Sequence, residues 1–166
     1  MLPFAHIGIA VFFSTMLYFP ALFAAVGALA PDIVDKALFY FGFSPCGRFI
    51  AHSVFFAPVL SLLVYGLTRK KEIALAVLLG SILHLVGDAE DFVPYLYPIV
   101  KYQFDCAPTR IGFGIFEIVT ESLGLILISI KLIFNSKLEK FRDRLKSKAK
   151  IYINKAIRKL KTLNKK

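Results

Sequence analysis

Cysteine is scarce in this chain. Cys46 and Cys106 are the two in 166 residues, too few for a disulfide framework. Neither belongs to a Cys-x-x-Cys pair, which excludes a zinc knuckle. Both fall in connecting segments assigned below to one side of a membrane, so a single bridge is geometrically open. The reading taken is two unrelated buried thiols. Histidine is scarce too, with His6, His52 and His84 alone. Charge is missing altogether from Ile7 to Ala30. No basic segment precedes that apolar run, and the run continues past the length of a signal-peptide core, so a cleavable signal is not expected.

What is abundant is apolar surface. The chain is 57% hydrophobic with a mean hydropathy of +0.67, against 45–50% apolar in ordinary soluble domains. The net charge of +10 is confined to one end. Residues 1–134 carry eight Lys/Arg against nine Asp/Glu, whereas residues 135–166 carry thirteen against two. The chain therefore reads as a near-neutral membrane body, 1–134, followed by a basic tail, 135–166.

Within the body, Ile7–Ala30 has the length of one bilayer crossing. Tyr18-Phe19-Pro20 at its middle offers the alternative of a hairpin of two short helices, roughly 6–18 and 20–30, because proline breaks or kinks a helix interior. Periodicity leaves both open. Residues 31–48 read as a connection, and Phe49–Leu67, Ile73–Val86 and Ile111–Phe134 as three spans. Residues 88–110 read as a mixed loop whose Tyr95, Tyr97 and Tyr102 suit the headgroup level. Arg69-Lys70-Lys71 and the tail concentrate positive charge, so both are expected on the cytoplasmic side, with Arg48/His52 and His84/Asp88 outward. In the tail, Leu138, Phe141, Leu145, Ala149 and Tyr152 recur at steps of three and four between Lys and Arg. That pattern describes a basic amphipathic helix lying on an anionic leaflet. A coiled coil or a nucleic-acid patch is the alternative, but no nucleic-acid-binding fold is recognisable. The expected fold is thus all-α: an integral membrane helical bundle, with a short N-terminal hairpin, three spans and a basic C-terminal helix.

The groups that carry chemistry gather at the ends of the apolar segments. His84 and Asp88 are four residues apart and share one helix face. His6, Asp32 and His52 sit at comparable positions, and polar groups at a membrane rim are costly enough to suggest a site. Histidine nitrogen and carboxylate oxygen suit zinc and similar divalent ions. Arg48, close before His52, can hold a phosphate or carboxylate in bidentate fashion. Glu117 and Glu121 share a face of the last span and should point inward. Each feature alone has a plainer reading: interfacial histidines, a helix cap at Asp32, a solvated acidic loop around Asp88.

Four segments taken in order carry a resemblance. They are His6; Pro31-Asp32-Ile33-Val34-Asp35-Lys36; Gly47-Arg48-Phe49-Ile50-Ala51-His52-Ser53; and His84-Leu85-Val86-Gly87-Asp88. Over residues 6–134 the chain resembles the prokaryotic membrane-bound predicted metal-dependent hydrolases, which are distantly similar to zinc-dependent phospholipase C. The resemblance implies metal ligands at His6, Asp32, His52, His84 and Asp88, and it favours the hairpin, since His6 must reach the others. Many members carry a further His just before the Arg, where this chain has Gly47, which bears on a second metal position.

The expected function is metal-dependent hydrolysis, with zinc as cofactor, of a phosphoester or lipid-like substrate at the outer face. Arg48 would steady the anion, and Asp35 or Glu121 would move protons. Two rivals stand beside it: a non-enzymatic membrane protein with a structural metal or polar plug, and a small ion transporter using Glu117 and Glu121.

Overall fold

In the computed structural model of the protein, residues 2–89, 92–104 and 114–135 are described. The chain divides into two compact units, Met1–Ile128 and Ser129–Lys166. The first contains α1 (Pro3–Met16), α2 (Ala21–Tyr40), a 3-10 turn (Ile50–His52), α3 (Phe56–Thr68) and α4 (Lys71–Gly87), then α5 over residues 115–128. Residues 129–135 of the second unit are helical as well. No strand occurs among the described residues, so the all-helical expectation holds there. Residues 136–166 of the expected basic helix, together with Cys106 and the acidic Glu90, Asp91 and Asp105 of the expected loop, lie outside the described residues.

The proline at position 20 decides the first ambiguity. Residues 7–30 are a hairpin: α1 ends at Met16, Tyr18 takes a left-handed φ of 58°, and Pro20 starts α2 at φ −68°. Proline is already set for a helix start and has no N–H to leave unpaired there.

The connection expected over residues 31–48 is corrected in its first half. α2 runs on through Pro31, Asp32, Asp35 and Lys36 to Tyr40. An internal proline removes the N–H that would bond the carbonyl four residues back, here that of Gly27. Ser81 of α4 supplies the missing donor, its hydroxyl lying 3.0 Å from the Gly27 oxygen. The helix therefore continues with its backbone satisfied.

The first expected span is also shorter than its apolar run. Phe49–Leu67 is helical as α3 only from Phe56, because the backbone before it is drawn to Asp35, which accepts N–H bonds from Phe49, Ala51 and His52. α3 has 13 residues and α4 has 17, or roughly 20 and 25 Å at 1.5 Å per residue against a hydrocarbon layer of about 30 Å. No helix among the described residues is long and apolar enough to cross a membrane.

α4 is the central element, packed against α1, α2 and α3. Its seam with α2 is built from small residues. A Cβ on Gly27 would stand 2.2 Å from the Val77 carbonyl oxygen, and one on Gly80 2.0 Å from that of Ala24. Ala10 of α1, Ala24 and Ala28 of α2 and Ala76 of α4 form a buried core cluster. The large side chains point outward instead, with Leu22 72%, Leu62 68% and Leu67 78% exposed. Small residues inside and large apolar ones outside reverse the usual soluble pattern and match helix packing in lipid.

Candidate metal centre

The four segments that carry His6, Asp32, Arg48 with His52, and His84 with Asp88 arrive at one place. The hairpin brings His6 of α1 to the end of α4, where its Nε2 lies 3.1 Å from Asp88 Oδ1. The pair is close without the alignment of a hydrogen bond. The His6 ring stacks on that of His84, with centroids 4.1 Å apart. Asp88 is the C-cap of α4, which keeps it one turn beyond His84, with Nε2 and Oδ2 3.8 Å apart. His52 enters from the 3-10 turn and Asp32 from α2, their Nε2 and Oδ1 3.5 Å apart.

Asp32, His52, His84 and Asp88 each present one donor atom within 4.8 Å of all the others. The two imidazole Nε2 atoms face each other at 3.2 Å. Zinc bonds of about 2.0–2.2 Å in a tetrahedral array set neighbouring donors about 3.3–3.6 Å apart. Pairs here run from 3.2 to 4.0 Å, with all four donors inside 4.8 Å, so a small contraction of the side chains brings them to that spacing. The donor set therefore fits a divalent cation. His6, on the far oxygen of Asp88, is next to this quartet and has both ring nitrogens buried without a hydrogen bond. No described group pairs His84 Nδ1 either.

The protonation pattern favours the same chemistry. His52 Nδ1 lies 2.7 Å from Asp35 Oδ2; burial disfavours the charged ring, but Asp32 and Asp35 outweigh it and raise its pKa, so a cation at Nε2 would displace a proton there while Nδ1–H stays with Asp35. This is the carboxylate–histidine arrangement that orients a metal-binding imidazole. Burial pushes the Asp88 carboxyl up, but the His6 ring and the Arg48 guanidinium outweigh it and hold Asp88 well below the usual carboxylate range. Burial acts likewise on Asp32, and His52 and Lys36 outweigh it there. Both carboxylates are thus anionic at neutral pH. Lys36 Nζ is bound to Asp32 Oδ2 at 2.7 Å, which leaves Oδ1 turned to the histidines.

Arg48 Nη2 lies 2.9 Å from Asp88 Oδ2 and its side chain is 29% exposed, while Asp32 is 15% exposed. These two mark the open side of an otherwise buried cluster. Asp35 and Glu121 are placed differently from the proton carriers expected of them. Asp35 is fully buried behind His52, and its oxygens accept three backbone N–H bonds besides the ring. Glu121 of α5 accepts from the backbone N–H groups of Phe4 and Ala5, at 3.2 and 3.0 Å. α1 has no capping side chain of its own, so Glu121 supplies the anion that a helix N-terminus favours and pins the turn next to His6. The sequence signal for this role was an inward-facing carboxylate; which donors it would meet depended on where α1 crosses α5, at Gly8 and Gly124.

One expectation is overturned nearby. Cys46 is disulfide-bonded, not an isolated buried thiol. It precedes Arg48 by two residues, so the bridge ties down the segment that carries the cation.

Fold and site together define a helical protein with a buried His/Asp centre fit for a divalent cation. Residues 1–153 match the YdjM inner membrane protein family, and the chain belongs to that family. No curated protein and no solved structure matches it. The family agrees with the membrane part of the resemblance drawn from the motifs; hydrolase activity and phospholipase likeness go beyond it.

Proposed function

We propose that this YdjM-family protein is a divalent-metal-dependent hydrolase that acts on a phosphoester or lipid-like substrate at the outer face of the membrane. The observation that carries the reading is the convergence of Asp32, His52, His84 and Asp88, with donors within 4.8 Å of one another, beside a partly exposed Arg48. Zinc suits this mixture of two imidazoles and two carboxylates. A cation bound there supplies Lewis-acid polarisation and acidifies water. Arg48 matches the charge of a phosphoryl group at the open side. Asp35 sets the tautomer of His52, and Glu121 steadies the start of α1; both act through the histidines. His6 would hold a second cation or orient Asp88.

The exposed Leu, Phe and Ile side chains support a bilayer setting for the helices. The disulfide at Cys46 belongs in an oxidising compartment, which supports an outward site and a cytoplasmic basic tail at 135–166. That tail would rest on the anionic leaflet.

The test is hydrolysis of a generic phosphodiester by purified protein, assayed together with metal content. Activity that disappears with the metal in both His84→Ala and Asp88→Ala supports the enzyme. The near closure of the cluster favours one rival, a structural metal plug. Retained metal with no turnover across a broad substrate panel would establish the plug instead.

A further inference from the structure

The two carboxylates that face the histidines each carry a basic partner, and the two partners are placed differently. Lys36 Nζ binds Asp32 Oδ2 at 2.7 Å, whereas Oδ1 is the oxygen that meets His52 and His84 Nε2, at 3.5 and 4.0 Å. Asp88 reverses this. His6 Nε2 lies on its Oδ1 at 3.1 Å. Arg48 Nη2 lies 2.9 Å from Oδ2, the oxygen that stands 3.8 Å from both Nε2 atoms. Lys36 therefore leaves the inner oxygen of its carboxylate to a cation, while Arg48 shares the inner oxygen of Asp88 with one. The segment that carries Arg48 is fixed on both sides, by the disulfide at Cys46 and by the Phe49 N–H on Asp35 Oδ2.

Two positive groups on one carboxylate oxygen repel each other, and the repulsion grows as water is excluded. Lys36 is 64% exposed and well screened, whereas Arg48 is only 29% exposed. The guanidinium thus opposes a cation in the centre more than the ammonium does. An oxyanion entering at the open side, beside Arg48, is attracted by both charges at once and offsets their repulsion. The fork of a guanidinium suits phosphate oxygens. We propose that Arg48 couples two ligands of this centre: it keeps the divalent cation weakly held until a phosphate-class oxyanion binds beside it, so that the two bind cooperatively. Cation and oxyanion then each tighten the other by the same factor. The proposal rests on the hydrolase reading for the cation at the Asp32/His52/His84/Asp88 cluster and needs no turnover.

The test uses the full chain in maltoside micelles, with free zinc held constant by a chelating dye whatever inorganic phosphate is added. In the wild type, excess phosphate should tighten zinc about tenfold, a change of about 1.4 kcal/mol, and removing zinc should weaken phosphate by the same factor. Without phosphate, Arg48→Gln should bind zinc about tenfold more tightly than the wild type, and it should respond little to phosphate. Arg48→Lys, which keeps the charge, should return the weak zinc binding. Lys36→Gln, which removes an exposed charge, should stay within about threefold of the wild type and keep the phosphate response. Micelles doped with phosphatidic acid, against diacylglycerol as control, repeat the measurement with the phosphate on a lipid head. A response to phosphatidic acid alone makes the oxyanion a lipid head, a response to inorganic phosphate a soluble ligand, and either supports the coupling. Wild-type zinc affinity indifferent to both forms overturns the proposal without any variant. So does weaker or unchanged zinc binding in folded Arg48→Gln, the result expected of a residue that only supports Asp88. Zinc absent from every form sinks the hydrolase reading as well. Coupling intact in a protein that turns over no phosphoester keeps the proposal and sinks the hydrolase alone.

Discussion

Asp35 shows how one buried carboxylate organises a site without meeting a ligand. Its oxygens gather three backbone N–H groups and the His52 ring, which winds residues 50–52 into a turn and aims Nε2 at Asp32, His84 and Asp88. Asp35→Asn keeps the size but replaces one acceptor oxygen with a donor. Zinc affinity measured by competition with a chelating dye should fall about 10–100-fold, as for other partners of metal-bound histidines. Ser81 answers a different demand, the carbonyl that Pro31 leaves without its helical donor. Ser81→Ala should destabilise the protein by about 1–3 kcal/mol, the cost of an unsatisfied buried group. Pro31→Ala returns the N–H, so in a double-mutant cycle followed by thermal unfolding the serine substitution should matter much less in the Pro31→Ala background. Equal effects in both backgrounds would refute the link between the two residues.

The separation of α2 and α4 is set by glycine. With the Ala24 carbonyl oxygen only 2.0 Å from the place of a Gly80 Cβ, Gly80→Val must push the helices apart. Asp32 rides on α2 and His84 on α4. The same substitution should therefore lower both the melting temperature in detergent and the metal bound per chain, whereas a valine at Gly66, where a Cβ meets nothing, should leave the metal in place. Close to His6, Glu121 holds the start of α1. Glu121→Gln keeps an acceptor but loses the charge facing the helix N-terminus, worth about 0.3–1 kcal/mol. A small drop in melting temperature with intact metal binding by Asp32, His52, His84 and Asp88 is expected; complete loss of metal would place Glu121 closer to the donors than its backbone bonds indicate.

At the scale of the whole molecule the centre is a clasp. Its donors come from α2, the 3-10 turn and the end of α4, with His6 of α1 against Asp88, so a cation there would join elements that otherwise meet through small residues. Ligand bound to the folded state alone adds about 2.7 kcal/mol at a hundredfold excess over Kd. Chelation should lower the melting temperature of the purified protein, and zinc should restore it, with the shift abolished in His52→Ala. An unchanged melting temperature on chelation would show that the cluster binds no cation as purified.

Residues that act along one helix were legible in the chain itself. The spacing of His84 and Asp88 put them at one helix end because i and i+4 always share a face, and Ile73–Val86 stands as the body of α4. The small number of histidines also marked all three members that the fold gathers. Other facts depended on distant backbone. His6 reaches Asp88 because the chain reverses at Tyr18-Phe19-Pro20, which an apolar pattern of the same length does not distinguish from one straight helix. α2 passes Pro31 because a serine fifty residues later supplies a donor, and α3 starts late because Asp35 claims the amides before it. The side-chain chemistry was therefore determined locally, whereas helix length, tautomer and ligand geometry were decided by which orphaned backbone groups found partners across the fold.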